Sequence, residues 1–296
     1  MRRGLTYTIF PAVFGAALLA TWWMLAEGVA AATVVFSVSA GAALVITLLE
    51  RWMPYDDTWS KSRGDVPTDL VYAIFSLFAA PRLFDTLALA ALVPVSASLA
   101  EGGTWWPADL PWILQLLLAV VIGELGAYWW HRLMHERALL FRLHATHHSP
   151  GRLYWLNAGR FHPLDTTLLF VLGMTPLTLL GAGPEVMLLF TVWVSVHGLF
   201  QHCNIRLRLG PLNYIFSMAE LHRWHHSLKL EEANANYGNN IIFWDLVFGT
   251  LHHPKGVDAS SKIGLSGLSS FPTHYLGQVL APWRWNRIER QDSPNE

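Results

Sequence analysis

The side chains in this chain best suited to chemistry are its histidines. Eleven of the fourteen fall between His131 and His226, and none occurs in the first 130 residues. Eight of the eleven form three tight clusters: His131-x-x-x-His135, His144-x-x-His147-His148 and His222-x-x-His225-His226. Neutral imidazole is the commonest nitrogen ligand for transition metals. Spacings of three and four bring rings onto one helical face. Adjacent residues point about 100° apart on a helix, so each doublet can serve two different ions. A single zinc site needs only three or four protein ligands. The expected centre is therefore dinuclear, with His131, His135, His144, His147, His148, His222, His225 and His226 as ligands. His202, beside Cys203 and Asn204 at the end of an apolar run, is the expected ninth. A lone histidine would more readily be a solvated or hydrogen-bonded side chain, but three clusters together argue against that.

Several other residues are candidates for ligation or for support of the ligands. Glu124 and Tyr128 lie seven and three residues before His131 on one helical stripe. Glu124 sits in an apolar run, where an unpaired carboxylate is costly. It is expected either to accept a hydrogen bond from a ligand imidazole or to be a protonated acid facing other helices. His162 and His197 are open between ligand and hydrogen-bonding roles. Asn204, Asn236 and Asp245 are candidates for support, with turn and helix capping as the alternative for the last two. His252, His253 and His274 are expected at the surface.

These clusters need a scaffold, and composition says what kind. The chain is 53% hydrophobic and 14% charged, which is the profile of an integral membrane protein. Crossing a hydrocarbon core of about 30 Å takes roughly 20 helical residues. Continuously apolar runs suit such helices near residues 5–25, 29–49, 68–93, 111–130, 164–180 and 185–202. The fold expected is all-α, with about four to six transmembrane helices and a helical cap carrying the metal site. Three regions follow: membrane helices and linker over 1–110, a catalytic region over 111–253, and a tail over 254–296. The first run, preceded by Arg2-Arg3 and followed by Gly28-Val29-Ala30-Ala31, has features of a secretory signal. Its apolar core is longer than most signals carry, which favours a retained helix. The first two runs read as a peripheral hairpin.

Basic residues orient the chain. With the N-terminus cytoplasmic, nineteen of the twenty Lys and Arg lie on the inner side and only Arg82 falls within a run. Multi-pass insertion then places the metal site and the C-terminus in the cytoplasm, just beneath the inner leaflet. Trp105, Trp106 and Trp112 fall in the outer interface, and Trp129 and Trp130 in the inner one. Arg82 and Asp85, three apart after Pro81, are expected to pair within a broken helix.

Several function classes are excluded. A net charge of −1 offers no footprint for nucleic acid. A single cysteine, Cys203, rules out disulfides and Cys-based metal sites within one chain. No nucleotide fingerprint or haem-attachment motif occurs, so electrons for any redox reaction must come from another protein. Imidazole ligation alone suits Fe, Zn, Cu or Ni. A bis-histidine haem electron carrier and a zinc- or metal-handling membrane protein are the rival readings. The first wants paired histidines on separate spanning helices, and the second wants ligands along the spanning core.

The order of the clusters resembles the fatty acid hydroxylase/sterol desaturase superfamily. The similarity runs from about residue 111 to 251. Its most specific part leads from His222-Arg-Trp-His225-His226 to Asn236-Tyr-Gly238, Trp244-Asp245 and Phe248-Gly-Thr250. Arg160-Phe-His162-Pro163 and Phe200-Gln-His202-Cys-Asn204 are similar to intervening elements of bacterial members. The resemblance implies two Fe ions, which zinc can replace in purified protein, and O2 as co-substrate. It also implies a lipid substrate drawn from the bilayer: sterol, fatty acyl, alkylglycerol or carotenoid. An external donor, either a ferredoxin, a cytochrome or a flavoprotein reductase, would supply electrons. The expected reaction removes hydrogen from an alkyl or isoprenoid chain, giving an alcohol or, after a second abstraction, a double bond.

Overall fold

The computed structural model describes residues 2–75, 86, 90–92, 94–96, 98 and 104–292. Arg82, Asp85 and most of the expected segment over 68–93 lie outside the described residues. Regular structure among the described residues is helical, apart from three isolated bridges. The long helices are α1 (Arg2–Ala26), α2 (Ala31–Trp52), α4 (Trp112–Glu136), α6 (Pro163–Leu180), α7 (Pro184–His202) and α11 (Tyr275–Asp292). Shorter ones are α3 (Val66–Ile74), α5 (Ala138–His148), α8 (Ala219–His225), α9 (Leu230–Ala233) and α10 (Phe243–Phe248).

Among the described residues, four helices are long and apolar enough to cross a membrane: Gly4–Ala26, Ala31–Trp52, Trp112–Glu136 and Pro163–Leu180. Their outer faces leave Leu19, Trp23, Phe36, Leu44, Leu48, Leu114 and Leu117 exposed. Helices that are apolar on both faces suit lipid on one side and protein on the other. The expected segment over 185–202 forms α7 but does not join these four. It carries Glu185, His197, Gln201 and His202, and its core-facing side is almost wholly buried.

Small residues set the closest crossing, between α4 and α6. A Cβ at Gly126 would lie 2.6 Å from the Leu172 carbonyl oxygen, and one at Gly123 would lie 3.1 Å from that of Gly173. Glycine on this face lets the two backbones meet, as in other membrane helix pairs. The α1–α2 hairpin turns at Gly28, whose φ of 70° favours glycine. This hairpin is not peripheral. Phe10 and Phe14 of α1 pack against Trp193 and Phe200 of α7, and Ser39 of α2 meets Ser195 at 2.8 Å. At the end of α2, the Glu50 carboxylate accepts from the backbone amides of Trp155 and Asn204 at 2.8 and 2.9 Å.

The helix ends alternate. Arg208 N donates to Thr6 O at the start of α1, and Pro54 bridges Ile205 just past α2. His131 and His135 close α4, His162 opens α6 and His202 closes α7. These termini therefore share one end of the bundle, where the connecting segments form a cap. The tail after 254 folds back onto it, with Phe271, Ala281, Trp285 and Ile288 clustered against Ala145 of α5.

Candidate metal centre

An extended Arg137 breaks the chain between α4 and α5 and turns it back on itself. This brings the i, i+4 pair of α4 against the three histidines of α5. Helix α8 lays its own triplet across them, and His202 arrives from the end of α7. The nine rings sort into two groups, each offering nitrogens within 4.8 Å of one another. One group is His131, His135, His144, His148 and His225, and the other is His147, His202, His222 and His226. The expected nine ligands are thus all brought together. Both doublets split, His147 from His148 and His225 from His226. The groups also touch, with His148 and His226 ring centroids 4.5 Å apart.

The hydrogen bonds fix which nitrogen is bare. His144 Nδ1 faces the Asp165 carboxylate at 2.9 Å, and His135 Nδ1 faces Asn234 Oδ1 at 3.2 Å. His131 and His225 place Nδ1 on the carbonyls of Tyr237 and Ala235, at 2.7 and 2.8 Å. Carbonyl and amide oxygens only accept, so His131, His225 and His135 carry the proton on Nδ1 and a lone pair on Nε2, and an ionised Asp165 sets His144 the same way. The Nε2 atoms of His131, His135, His144, His148 and His225 are buried without a hydrogen-bond partner. In the other group, His202 Nδ1 faces Asn157 Oδ1 at 3.0 Å. His222 Nε2 lies 3.0 Å from the Nε2 atoms of both His202 and His226. A ring nitrogen offers either one N–H or one lone pair, so at least one of these two contacts is not a hydrogen bond. Buried polar atoms are ordinarily satisfied. Convergent bare nitrogens fit a cation between them, and that is the test this donor set passes.

Electrostatics point the same way. Burial first, and then the neighbouring imidazoles, hold His144, His147, His148, His222, His225 and His226 well below the usual histidine range. They are neutral at ordinary pH, which is the ligating form.

The other candidate residues do not touch the rings. Glu124 accepts from the backbone amides of Asn239 and Asn240 and from Asn240 Nδ2, not from an imidazole. Asn204 ties the chain to Asp56, through contacts of 3.0 Å in each direction. His162 Nδ1 caps α6 by accepting from Leu164 N, and its Nε2 faces Val279 O. His197 lies outside both groups, beside Phe10, Phe14 and Phe216. His252 and His253 are half-buried, His252 against Trp224, and His274 is exposed.

Asn236 and Asp245 act one step further out. Asp245 accepts from Tyr237 N and Gly238 N, both at 2.8 Å, and from Thr250 Oγ1 at 2.6 Å. Asn236, at φ 55°, donates its Nδ2 to Leu221 O and His252 O. Together with Glu124 they brace the loop whose Asn234, Ala235 and Tyr237 oxygens hold His135, His225 and His131. Gly238 is required by close approach, since a Cβ there would lie 2.3 Å from Ile241 O. Sequence reasoning missed Asn157, Asp165 and Asn234 as direct partners of imidazoles. Asp165 also accepts from Trp130 Nε1 at 3.0 Å.

Residues 116–250 match the fatty acid hydroxylase family. The chain is 40% identical over 242 residues to the ornithine lipid hydroxylase OlsE of Rhizobium tropici, covering 81% of this chain and 72% of that protein. It is 31% identical over 191 residues to alkylglycerol monooxygenase of Danio rerio, covering 62% of this chain and 38% of that protein. It is 29% identical over 146 residues to methylsterol monooxygenase 1 of Rattus norvegicus, covering 47% of this chain and 46% of that protein. The chain therefore spans less than half the length of the last two. No solved structure matches. With these matches, four helices able to cross a membrane and two clusters of ligand nitrogens, the chain is an integral membrane oxidoreductase and belongs to the fatty acid hydroxylase family.

Proposed function

We propose that this protein hydroxylates a C–H bond of a membrane lipid, using O2, two bound iron ions and electrons from a separate donor. The overall balance is R–H plus O2, two electrons and two protons, giving R–OH and water. The observation that carries this reading is the sorting of nine imidazoles into a group of five and a group of four, with their bare nitrogens converging. His131, His135, His144, His148 and His225 hold one ion, and His147, His202, His222 and His226 hold the other. Iron, when bound, supplies the activation of dioxygen.

The chain's own residues do the rest. Asp165, Asn234 and the carbonyls of Ala235 and Tyr237 keep the Nδ1 protons in place and aim Nε2 inward, as supporting partners do in other metal sites. Burial excludes water from all nine rings except the partly open His135. The site lies at the bundle end where helix termini gather, on the side the basic residues assign to the cytoplasm. A lipid chain can reach it there from the inner leaflet, and a soluble or membrane-bound ferredoxin, cytochrome or flavoprotein can dock from the aqueous side. Hydroxylation is favoured over desaturation because the relatives named above are a hydroxylase and two monooxygenases. Ornithine lipid is the first substrate to try, since that relative is 40% identical. A haem reading is not favoured, because neighbouring rings pack with centroids as close as 4.5 Å and leave no slot for a porphyrin plane.

The test is purification after expression in iron-replete cells, with metal analysis and lipid profiling of wild type, His147→Ala and His225→Ala. Wild type should hold about two irons per chain and yield an oxygen-dependent product 16 mass units heavier than its lipid precursor, by the balance above. Each variant should lose most of the product. Full product formation by the His147→Ala, His225→Ala double variant would overturn the reading.

A further inference from the structure

A second polar recess lies on the cap, away from the nine rings. It is lined by Tyr55, Arg206, Arg208, Glu220, Arg223 and His253, among others. Arg208 is committed within it, bridging Glu220 at 3.0 Å and Asp258. Arg223 and Arg206 are different. Among the described residues neither forms an ion pair with a carboxylate. Arg223 is 1% exposed, and its guanidinium sits 3.9 Å over the Tyr55 ring. One of its nitrogens donates to Cys203 O and Ile205 O, both at 2.8 Å, while its Nε is buried without a partner. Arg206 is exposed, approaches the same ring at 5.7 Å and donates from one Nη to Tyr55 O at 2.8 Å, which leaves its other N–H groups free of any carboxylate among the described residues. Arg223 is thus a buried cation with no carboxylate in direct contact, because Glu220 and Asp258 of the same recess are held by Arg208, and such burial is costly. Guanidinium forks match phosphate and carboxylate oxygens, and stacking on an aromatic face holds such a fork in place.

The depth of the recess names the source. Tyr55 lies three residues past the end of α2, and Arg208 N bonds Thr6 O at the start of α1. The recess is therefore level with the point where apolar helices give way to polar chain, which is headgroup depth. Its rim continues into apolar surface: His253 faces Tyr214, and Tyr214 and Ile215 are about half exposed.

We infer that Arg223 and Arg206 form a binding site for the oxyanion headgroup, phosphate or carboxylate, of a membrane lipid. The bound headgroup neutralises Arg223, and its chains lie along Tyr214 and Ile215. The site is separate from the nine histidines, and its occupancy is read by binding, not by turnover.

The test uses full-length protein in an uncharged detergent, titrated with phosphatidylglycerol, with diacylglycerol of the same chains, and with inorganic phosphate. Binding is followed by retention in native mass spectrometry and by the shift in unfolding temperature. Phosphatidylglycerol should bind and raise the unfolding temperature, and diacylglycerol should do neither. Arg206→Gln, an exposed change that leaves the fold intact, should weaken binding about tenfold. Arg287→Gln removes an equally exposed charge from α11 and should leave binding unchanged. Inorganic phosphate binding as tightly as the lipid would support an oxyanion site but overturn the lipid as its source. Equal binding of diacylglycerol, or equal losses in Arg206→Gln and Arg287→Gln, would overturn the site itself.

Discussion

The carboxylate of Asp165 meets His144 Nδ1 at 2.9 Å, with both side chains fully buried. It is the one carboxylate bonded to any of the nine rings among the described residues; the other anchors are amide or carbonyl oxygens. Asp165→Asn keeps one acceptor but must give up either His144 or Trp130. Such supporting partners are typically worth about 10- to 100-fold in metal affinity. Metal content after graded chelation should fall first from the five-histidine group. Retention of wild-type affinity would remove Asp165 from the positioning of His144.

A second expectation concerns residues that touch no imidazole. Asp245→Ala leaves the amides of Tyr237 and Gly238 buried without their acceptor. Each unsatisfied group costs about 1–3 kcal/mol. The variant should unfold at lower temperature and lose metal, because the loop it releases carries the oxygens that hold His131, His225 and His135. Thermal unfolding in detergent alongside iron analysis checks both effects, and a stable, fully loaded variant would contradict the bracing role.

The crossing of α4 and α6 leaves no room for a side chain at Gly126. Gly126→Val would drive a side chain into the Leu172 carbonyl. Overpacking of this kind costs about 1–3 kcal/mol, and here it also shifts the helix that carries His131 and His135. Gly198 of α7 has open space around it. Gly198→Ala should therefore be nearly neutral in the same unfolding assay. Equal behaviour of the two variants would show that the crossing is looser than its geometry.

Acid should act through the rings. His144, His222, His225 and His226 are held well below their ordinary value of 6.5 by burial and then by one another. In the unfolded chain they protonate near 6.5. Below that pH the unfolded state binds more protons than the folded one, so stability falls as pH drops from about 6.5 toward the lower folded values. The metal-stripped protein should show a denaturant midpoint that declines from pH 7 to pH 5 with a slope steeper than one proton. A flat profile across that window would mean that the rings already hold protons in the folded state.

The histidines were legible in the sequence because helical spacing alone carries their meaning. Gaps of four keep both rings in one group and gaps of one split them, as helical geometry predicts, whereas the gaps of three, His144 to His147 and His222 to His225, are split as well. Their partners were less visible. Asn157, Asn234 and the Ala235 and Tyr237 carbonyls reach the rings through loop geometry, which has no period to read. Glu124 drew attention as a carboxylate in an apolar run, and it is spent on the amides of Asn239 and Asn240. Asp165 gave the same signal near the start of its own apolar segment, three residues after His162, and only the chain's return past α4 shows that it faces His144. The role of the first hairpin was hidden for a similar reason. Nothing in its apolar pattern says that Phe10 and Glu50 face α7 and the cap rather than lipid.

The splitting of both doublets has a further consequence. His147 and His148 are joined by one peptide bond, as are His225 and His226, yet each neighbour serves a different group. Two short covalent rulers thus set the gap between the cavities. If each group holds an ion as proposed, binding at either one would draw α5 and α8 together and bring the other group toward its filled arrangement. Iron-starved preparations are then expected to be mixtures of empty and full molecules, with few carrying a single ion.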